Sequence, residues 1–184
     1  MKVGCCTLIT HDSKVGYCVA NHPQESRKEN RTKRRFCCVV GGIPKDWELL
    51  PFGHTVSAEV YSYQLQKLAD AIRLECRKID HVVLLHDNAR PHVAKLTRQK
   101  IAELGWEVLP HPAYSPDLAP SDYHLFRALE LHLREKKFDN QTQLENQISS
   151  FFDSQLPQFW TSGIKTLVKR WTYVLDHDGD NVVD

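Results

Sequence analysis

The sequence predicts one α/β domain in which a mixed sheet is flanked by helices on both faces. Three observations favour this class. Short β-type runs fill the first fifty residues, helical and β-type runs then alternate, and the chain ends in three helical stretches. The length of 184 residues suits one ordinary domain, residues 1–184, and leaves little room for two.

The composition excludes several other classes of protein. With 41% hydrophobic residues and a net charge of +1, the chain is not expected to be disordered. No apolar run approaches the ~20 residues that a membrane span needs, so we expect no membrane partner. Its 6 cysteines include no CxxC pair, which argues against a zinc ribbon and favours buried thiols in a reducing compartment.

The β-type runs come first along the chain. Residues 3–10 predict a first strand, and residues 15–20 could form its short neighbour. Another run, residues 36–40, ends at Gly41, and residues 47–51 suggest an edge piece.

The middle of the chain alternates between helix and strand. Residues 57–78 predict a helix with one apolar face, formed by Tyr61, Leu65, Leu68 and Ile72. Residues 81–86, HVVLLH, have the length and apolar character of a central strand buried on both faces. Pro91 suits the first turn of a helix that runs to about Leu104.

After Gly105, a predicted helix stop, the pattern gives one more strand and three helices. Residues 106–109 form the strand, and the three prolines of HPAYSPDLAPS, residues 111–121, require a rigid loop. Helices are predicted from about residue 121, then over residues 142–154 and 158–176, with a frayed tail. The first of these has one face formed by Asp122, Phe126, Leu129 and Leu133.

Three carboxylates lie where such a scaffold could direct them to one site. Asp12 closes the first strand, Asp87 follows the central strand, and Asp122 is in the first turn of the helix after the proline loop. If their strands are neighbours, Asp12 and Asp87 could lie side by side at the sheet edge where ligands collect. A Mg²⁺ ion would relieve the repulsion of three such carboxylates and suits phosphoryl transfer. The alternative is that each aspartate merely caps the helix that follows it.

Residues 86–126 closely resemble the catalytic core of mariner-type transposases of the Tc1/mariner superfamily. The motifs HDNARPH, WEVLPHP and YSPDLAPSDYHLF occur in the family's order, and 34 residues separate Asp87 from Asp122, as in its three-aspartate signature. Upstream, WELLPFGHTVSAEVYSYQLQKL and LITHDSKVGY are similar to further family segments. The family's first aspartate is usually followed by Glu-Lys-Trp, whereas Ser13, Lys14 and Val15 follow Asp12 here.

The resemblance implies an RNase H-like fold and a metal-dependent enzyme. A site formed by Asp12, Asp87 and Asp122 would bind Mg²⁺ or Mn²⁺, cleave DNA at transposon ends and join them to a target. Asn88, Arg90 and His92 would shape this site or contact DNA, although His92 could equally be a histidine on a helix surface. DNA as a partner, pairing of two subunits and a nuclear location are also implied.

The chain departs from the family pattern in ways that alter these expectations. The family's N-terminal pair of helix-turn-helix modules is expected to be absent. The clamp-like loop that helps to pair two subunits in the family is also expected to be shortened, which would weaken a homodimer. A basic run occupies its place and could be a solvated loop or a DNA contact; it comprises Arg27, Lys28, Arg31, Lys33, Arg34 and Arg35, against Glu29 alone. The alternative function is an inactive, domesticated remnant that binds DNA or a protein.

Overall fold

The computed structural model describes residues 5–10, 15–23, 35–40, 47–50, 54–75 and 82–182. Within these residues, one mixed six-stranded sheet has the order β4-β3-β2-β1-β5-β6. Its strands are β1 Cys5–Thr10, β2 Val15–Pro23, β3 Arg35–Val40, β4 Trp47–Leu49, β5 Val82–His86 and β6 Glu107–Leu109. The helices are α1 Ala58–Glu75, α2 Lys95–Leu104, α3 Arg127–Leu133, α4 Gln141–Ser154 and α5 Pro157–Asp176. The predicted α/β class is confirmed.

Strand β5 is buried on both faces, as its sequence predicts. Leu84 and Leu85 point to opposite faces of the sheet because they are consecutive in a strand. Both are buried, at 0% and 1% exposed. Leu84 packs in a core with α1, whose predicted apolar face is confirmed, and with Ile101 of α2.

The direction of β1 corrects one prediction about the site. β1 and β5 are neighbours, as a site shared by Asp12 and Asp87 requires, but they are antiparallel. Thr10 therefore pairs with Val82 at the start of β5, whereas Cys6 pairs with His86, the residue before Asp87. The carboxyl ends of the two strands lie at opposite edges, so the expectation that they end side by side is wrong. Asp12 itself lies outside the described residues.

Helix α2 begins at Lys95, four residues later than predicted. The carbonyl of Ala89 accepts hydrogen bonds from the backbone N–H groups of His92 and Val93, which closes a separate turn before the helix. The backbone N–H of Arg98 then bonds to the carbonyl of Ala94. Gly105 ends the helix at φ +70°, the left-handed conformation expected of a glycine stop.

The helix predicted after the proline loop has two parts. Ser121–Phe126 forms a π-helical segment, in which the N–H of Arg127 reaches the carbonyl of Asp122, and α3 follows. Phe126, Leu129 and Leu133 are buried against α4, so the predicted face is confirmed for these three. This second core anchors the segment that carries Asp122.

The residues after α5 are more ordered than predicted. The backbone N–H of Val182 donates a hydrogen bond of 2.8 Å to Oδ2 of Asp117 in the proline loop. The prediction of a frayed tail is therefore wrong for the residues up to Val182. None of the helices in the described ranges is long and apolar enough to cross a membrane.

Candidate active site

Asp87 begins a tight turn directly after β5. Its Oδ1 accepts a hydrogen bond of 2.9 Å from the backbone N–H of Ala89 and pairs with Nδ1 of His92 at 2.8 Å. Because a carboxylate only accepts, Nδ1 of His92 is the donor. These two bonds fold residues 87–92 into a turn. Helix α2 therefore begins only after this turn, and His92 contacts Asp87 instead of lying on the helix.

The environment keeps Asp87 ionised. Burial raises its pKa, but the hydrogen bonds from His92 and Ala89 outweigh burial, so the pKa of Asp87 lies below its ordinary value. The side chain remains 29% exposed. Its other oxygen, Oδ2, makes no hydrogen bond to the part of the chain that the structure describes. One oxygen is therefore fixed while the other is left for a ligand.

A buried group of three rings supports this carboxylate. His92 is 1% exposed, and its ring lies 4.1 Å from that of Tyr61 and 5.3 Å from that of His86, between ring centroids. The hydroxyl of Tyr61 and Nδ1 of His86 are hydrogen-bonded at 3.2 Å. Burial is the main cause that lowers the pKa of His86 to about 4, so this imidazole is neutral at neutral pH.

Asn88 joins the turn to the proline loop. Its side-chain amide donates a hydrogen bond of 2.9 Å to the carbonyl oxygen of His111. Burial lowers the pKa of His111, and the charge of Asp87 opposes that effect only in part. The loop that precedes Asp122 is thus held beside Asp87.

Asp122 lies on the π-helical segment, which packs against β1 and β2. Its backbone N–H donates a hydrogen bond of 2.8 Å to the carbonyl of Ala119. The next two side chains bind α5. The hydroxyl of Tyr123 donates to the carbonyl of Gly163 at 2.6 Å, and Nε2 of His124 donates to that of Phe159 at 2.7 Å. Asp122 is partly exposed on this held segment.

Some of the predicted site residues lie outside the residues that the structure describes. Asp12, Lys33 and Arg34 are among them, and Arg35 is described only as the first residue of β3. In the described ranges, no three His, Cys, Asp or Glu side chains are grouped closely enough to hold a metal ion together. The three-aspartate site therefore stays a prediction.

The structure corrects the interpretation of His92. Its 1% exposure contradicts a direct contact with DNA, and it lies in a turn rather than on a helix surface. The remaining role predicted for it, shaping the site, agrees with its bond to Asp87. Asn88 and Arg90 are exposed, and their contact with DNA stays a prediction.

Three residues of this site are not predicted from the sequence: Tyr61, His86 and His111. The pattern predicts only an apolar helix face for Tyr61, the end of a buried strand for His86 and a rigid loop for His111. A signal for Tyr61 was present, because its hydroxyl on an otherwise aliphatic face needs a hydrogen-bond partner when buried. No comparable pattern marks His111.

The family model of the DDE superfamily endonucleases matches residues 7–145. The chain belongs to this family. The resemblance to mariner-type transposases is confirmed as well, because the chain is 42% identical over 137 residues to the mariner Mos1 transposase of Drosophila mauritiana. It is also 44% identical over 130 residues to the histone-lysine N-methyltransferase SETMAR of Homo sapiens.

These similarities concern a part of each relative. They cover 72% of this chain and 40% of Mos1, and 69% of this chain and 19% of SETMAR. A crystal structure of the Mos1 catalytic domain matches 89% of this chain and 82% of that domain, with a TM-score of 0.79 and 34% identity. The chain therefore carries a mariner-type transposase catalytic domain of the predicted RNase H-like class.

Proposed function

We propose that this domain catalyses metal-dependent cleavage and strand transfer of DNA phosphodiesters. The observation that carries the proposal is the Asp87 carboxylate, which is held ionised by His92 and Ala89 with Oδ2 left for a ligand. Membership of the endonuclease family supports the reaction class.

The side chains present fit a hard divalent cation. Mg²⁺ and Mn²⁺ prefer oxygen ligands, and carboxylates that bind metals are themselves usually hydrogen-bonded, as Asp87 is. Mos1 has been solved as a catalytic domain with Mn and with Mg. Asp87 and Asp122 would hold the ion, and Asp12 would be the third ligand that the resemblance implies. A bound ion would supply positive charge for the attacking and leaving oxygens of the phosphodiester.

DNA is the proposed substrate and partner. Positive charge is exposed on Arg90 of the turn that follows Asp87, and on Lys95 and Arg98 of α2. Solved complexes of Mos1 include a paired-end complex with Mn, which supports pairing of two copies here. A nuclear location follows for a domain that acts on chromosomal DNA.

The direct test is nicking of a supercoiled plasmid by the purified chain with Mg²⁺, and with EDTA as the metal-free control. Asp87→Asn, Asp122→Asn and Asp12→Asn each remove one proposed ligand charge and should abolish nicking while the protein stays folded. Asp153→Asn is the matched control, because Asp153 is exposed on α4 and should leave nicking unchanged.

Each result has one interpretation. Nicking that survives both Asp87→Asn and Asp122→Asn would reject the proposal. Loss of nicking in these two but not in Asp12→Asn would remove Asp12 from the site. DNA binding with no metal-dependent nicking by the unaltered chain would favour the inactive remnant.

A further inference from the structure

We propose that His92 and Tyr61 are positioning residues that fix the Asp87 carboxylate for metal binding. This inference deepens the proposed function and rests on it. An aspartate side chain turns about two bonds, so an unrestrained carboxylate exchanges its two oxygens. Here both donors, Ala89 N–H and His92 Nδ1, bind the same oxygen, Oδ1. Oδ2 is thereby held in one direction.

His92 can fix the carboxylate because its own ring is immobilised. It is 1% exposed and packs against Tyr61 at 4.1 Å and nearly parallel to His86 at 5.3 Å, with 5° between the ring planes. A surface histidine would lose side-chain entropy to form the same bond, whereas this ring has already lost it in the core.

Tyr61 extends the support to α1, more than twenty residues earlier in the chain. It is 0% exposed, and the hydrogen bond between its hydroxyl and Nδ1 of His86 restricts rotation of its ring. The core of α1 and β5 is thus connected to the Asp87 carboxylate through the His92 ring. Tyr61 would act on a bound ion through His92, against which its ring packs.

Two substitutions separate the donor from the ring. His92→Phe keeps a flat ring against Tyr61 but has no donor for Asp87. His92→Asn loses the ring but retains a side-chain N–H close to the position of Nδ1. If the donor matters, Asn restores what Phe loses; a purely structural role predicts the reverse order, because Phe preserves the packing.

The measurement is Mn²⁺ binding to the full chain by isothermal titration calorimetry, with thermal unfolding as the check on folding. We expect His92→Phe to weaken binding by ~10–100-fold, the usual cost of removing a partner of a metal ligand. His92→Asn should stay within about threefold of the unaltered protein, and Tyr61→Leu should lie between them. Tyr63→Leu is the matched control, because Tyr63 is on the same helix but 61% exposed.

A second readout needs no metal. Hydrogen exchange of the Ala89 amide reports on its bond to Oδ1 of Asp87 and should accelerate in His92→Phe but not in His92→Asn. If the unaltered chain binds no Mn²⁺ but the two variants differ in Ala89 exchange as expected, the proposed function fails, whereas the role of His92 in positioning the carboxylate stands. If His92→Phe changes neither Mn²⁺ affinity nor Ala89 exchange, the inference is overturned. If His92→Phe does not fold, His92→Leu, which also has no donor and lacks the ring as His92→Asn does, is compared with His92→Asn by the same two measurements.

Discussion

The hydroxyl of Tyr123 donates a hydrogen bond of 2.6 Å to the carbonyl oxygen of Gly163, forty residues further along the chain. Tyr123 follows Asp122 on the π-helical segment, and Gly163 is a buried residue of α5. The guanidinium of Arg170 lies 4.1 Å from the centre of the Tyr123 ring. Because π-helical turns are rare and need support from the rest of the fold, α5 helps to hold the backbone that carries Asp122.

Tyr123→Phe should destabilise the domain by about 0.5–1.5 kcal/mol, the net value of one hydrogen bond. The ring remains against Arg170, so the change isolates the hydroxyl. Urea unfolding measures the free energy, and plasmid nicking should fall as well because Asp122 is held less firmly. Tyr63→Phe on the exposed face of α1 is the control and should change neither quantity. Equal unfolding free energies for Tyr123→Phe and the unaltered protein would show that α5 does not hold this segment.

The core beneath the same segment gives a larger effect. Leu129→Ala should lower the free energy of unfolding by ~2–5 kcal/mol, and Phe126→Ala by ~3–5 kcal/mol. Both side chains are almost fully buried, at 3% and 5% exposed. Leu131→Ala on α3, which is 54% exposed, should stay within about 0.5 kcal/mol. If the two buried variants unfold like Leu131→Ala, the buried face of α3 is misassigned.

The buried histidines make stability depend on pH. The pKa of His86 is about 4 in the folded chain and 6.5 in a solvated reference, so the unfolded chain binds a proton more strongly. The stability that depends on neutral His86 is therefore fully present above pH 6.5 and is lost as the pH drops from 6.5 to 4, by up to about 3 kcal/mol. Burial also lowers the pKa of His111 and of His124, so these two histidines add to the loss of stability in acid. The contribution of Asp87, whose pKa is lowered, is lost only at still lower pH.

Urea unfolding at pH 7 and pH 4.5 checks this prediction. His86→Gln removes the titrating group but keeps a hydrogen-bonding partner for Tyr61, so the difference between the two pH values should shrink. His54→Gln is the control, since His54 is exposed before α1. An undiminished difference in His86→Gln would assign the acid sensitivity to other groups.

Local patterns predicted the strands, the apolar face of α1 and the positions of Asp87 and Asp122 along the chain. These features depend on neighbouring residues, which a single sequence displays. The antiparallel direction of β1 relative to β5 could not be predicted from the sequence, because strand pairing depends on the whole sheet rather than on either strand. The turn at residues 88–94 was also missed, because the pattern after Pro91 fits a helix and the bond from His92 to Asp87 overrides that tendency. The start of the helix predicted from about residue 121 is likewise π-helical rather than regular, and its Tyr123 and His124 side chains are hydrogen-bonded to α5.

The remaining prediction concerns how the chain binds DNA. Its concentrated positive charge is the basic run at residues 27–35, supplemented by Lys95, Arg98 and Lys100 of α2. Such side chains bind phosphates, which are the same in every sequence, whereas base contacts specify sequence. We therefore expect weak, non-specific binding, with Kd of roughly 10⁻⁴–10⁻⁶ M near physiological salt. The logarithm of affinity should fall linearly with the logarithm of salt concentration, by about 0.9 per phosphate contact.

Replacing Lys33, Arg34 and Arg35 together by Ala tests the contribution of the basic run. If all three contact phosphates, the slope of the salt plot should flatten by up to ~3, because each contact releases about one counterion. The loss of binding affinity should be equal for a mariner terminal repeat and for a scrambled duplex of the same length, and fluorescence anisotropy measures both affinities. Glu29→Gln in the same run is the control of opposite sign and should strengthen binding slightly. A tenfold preference for the terminal repeat would instead mean that this domain reads bases itself, and phosphate attraction would no longer explain its binding.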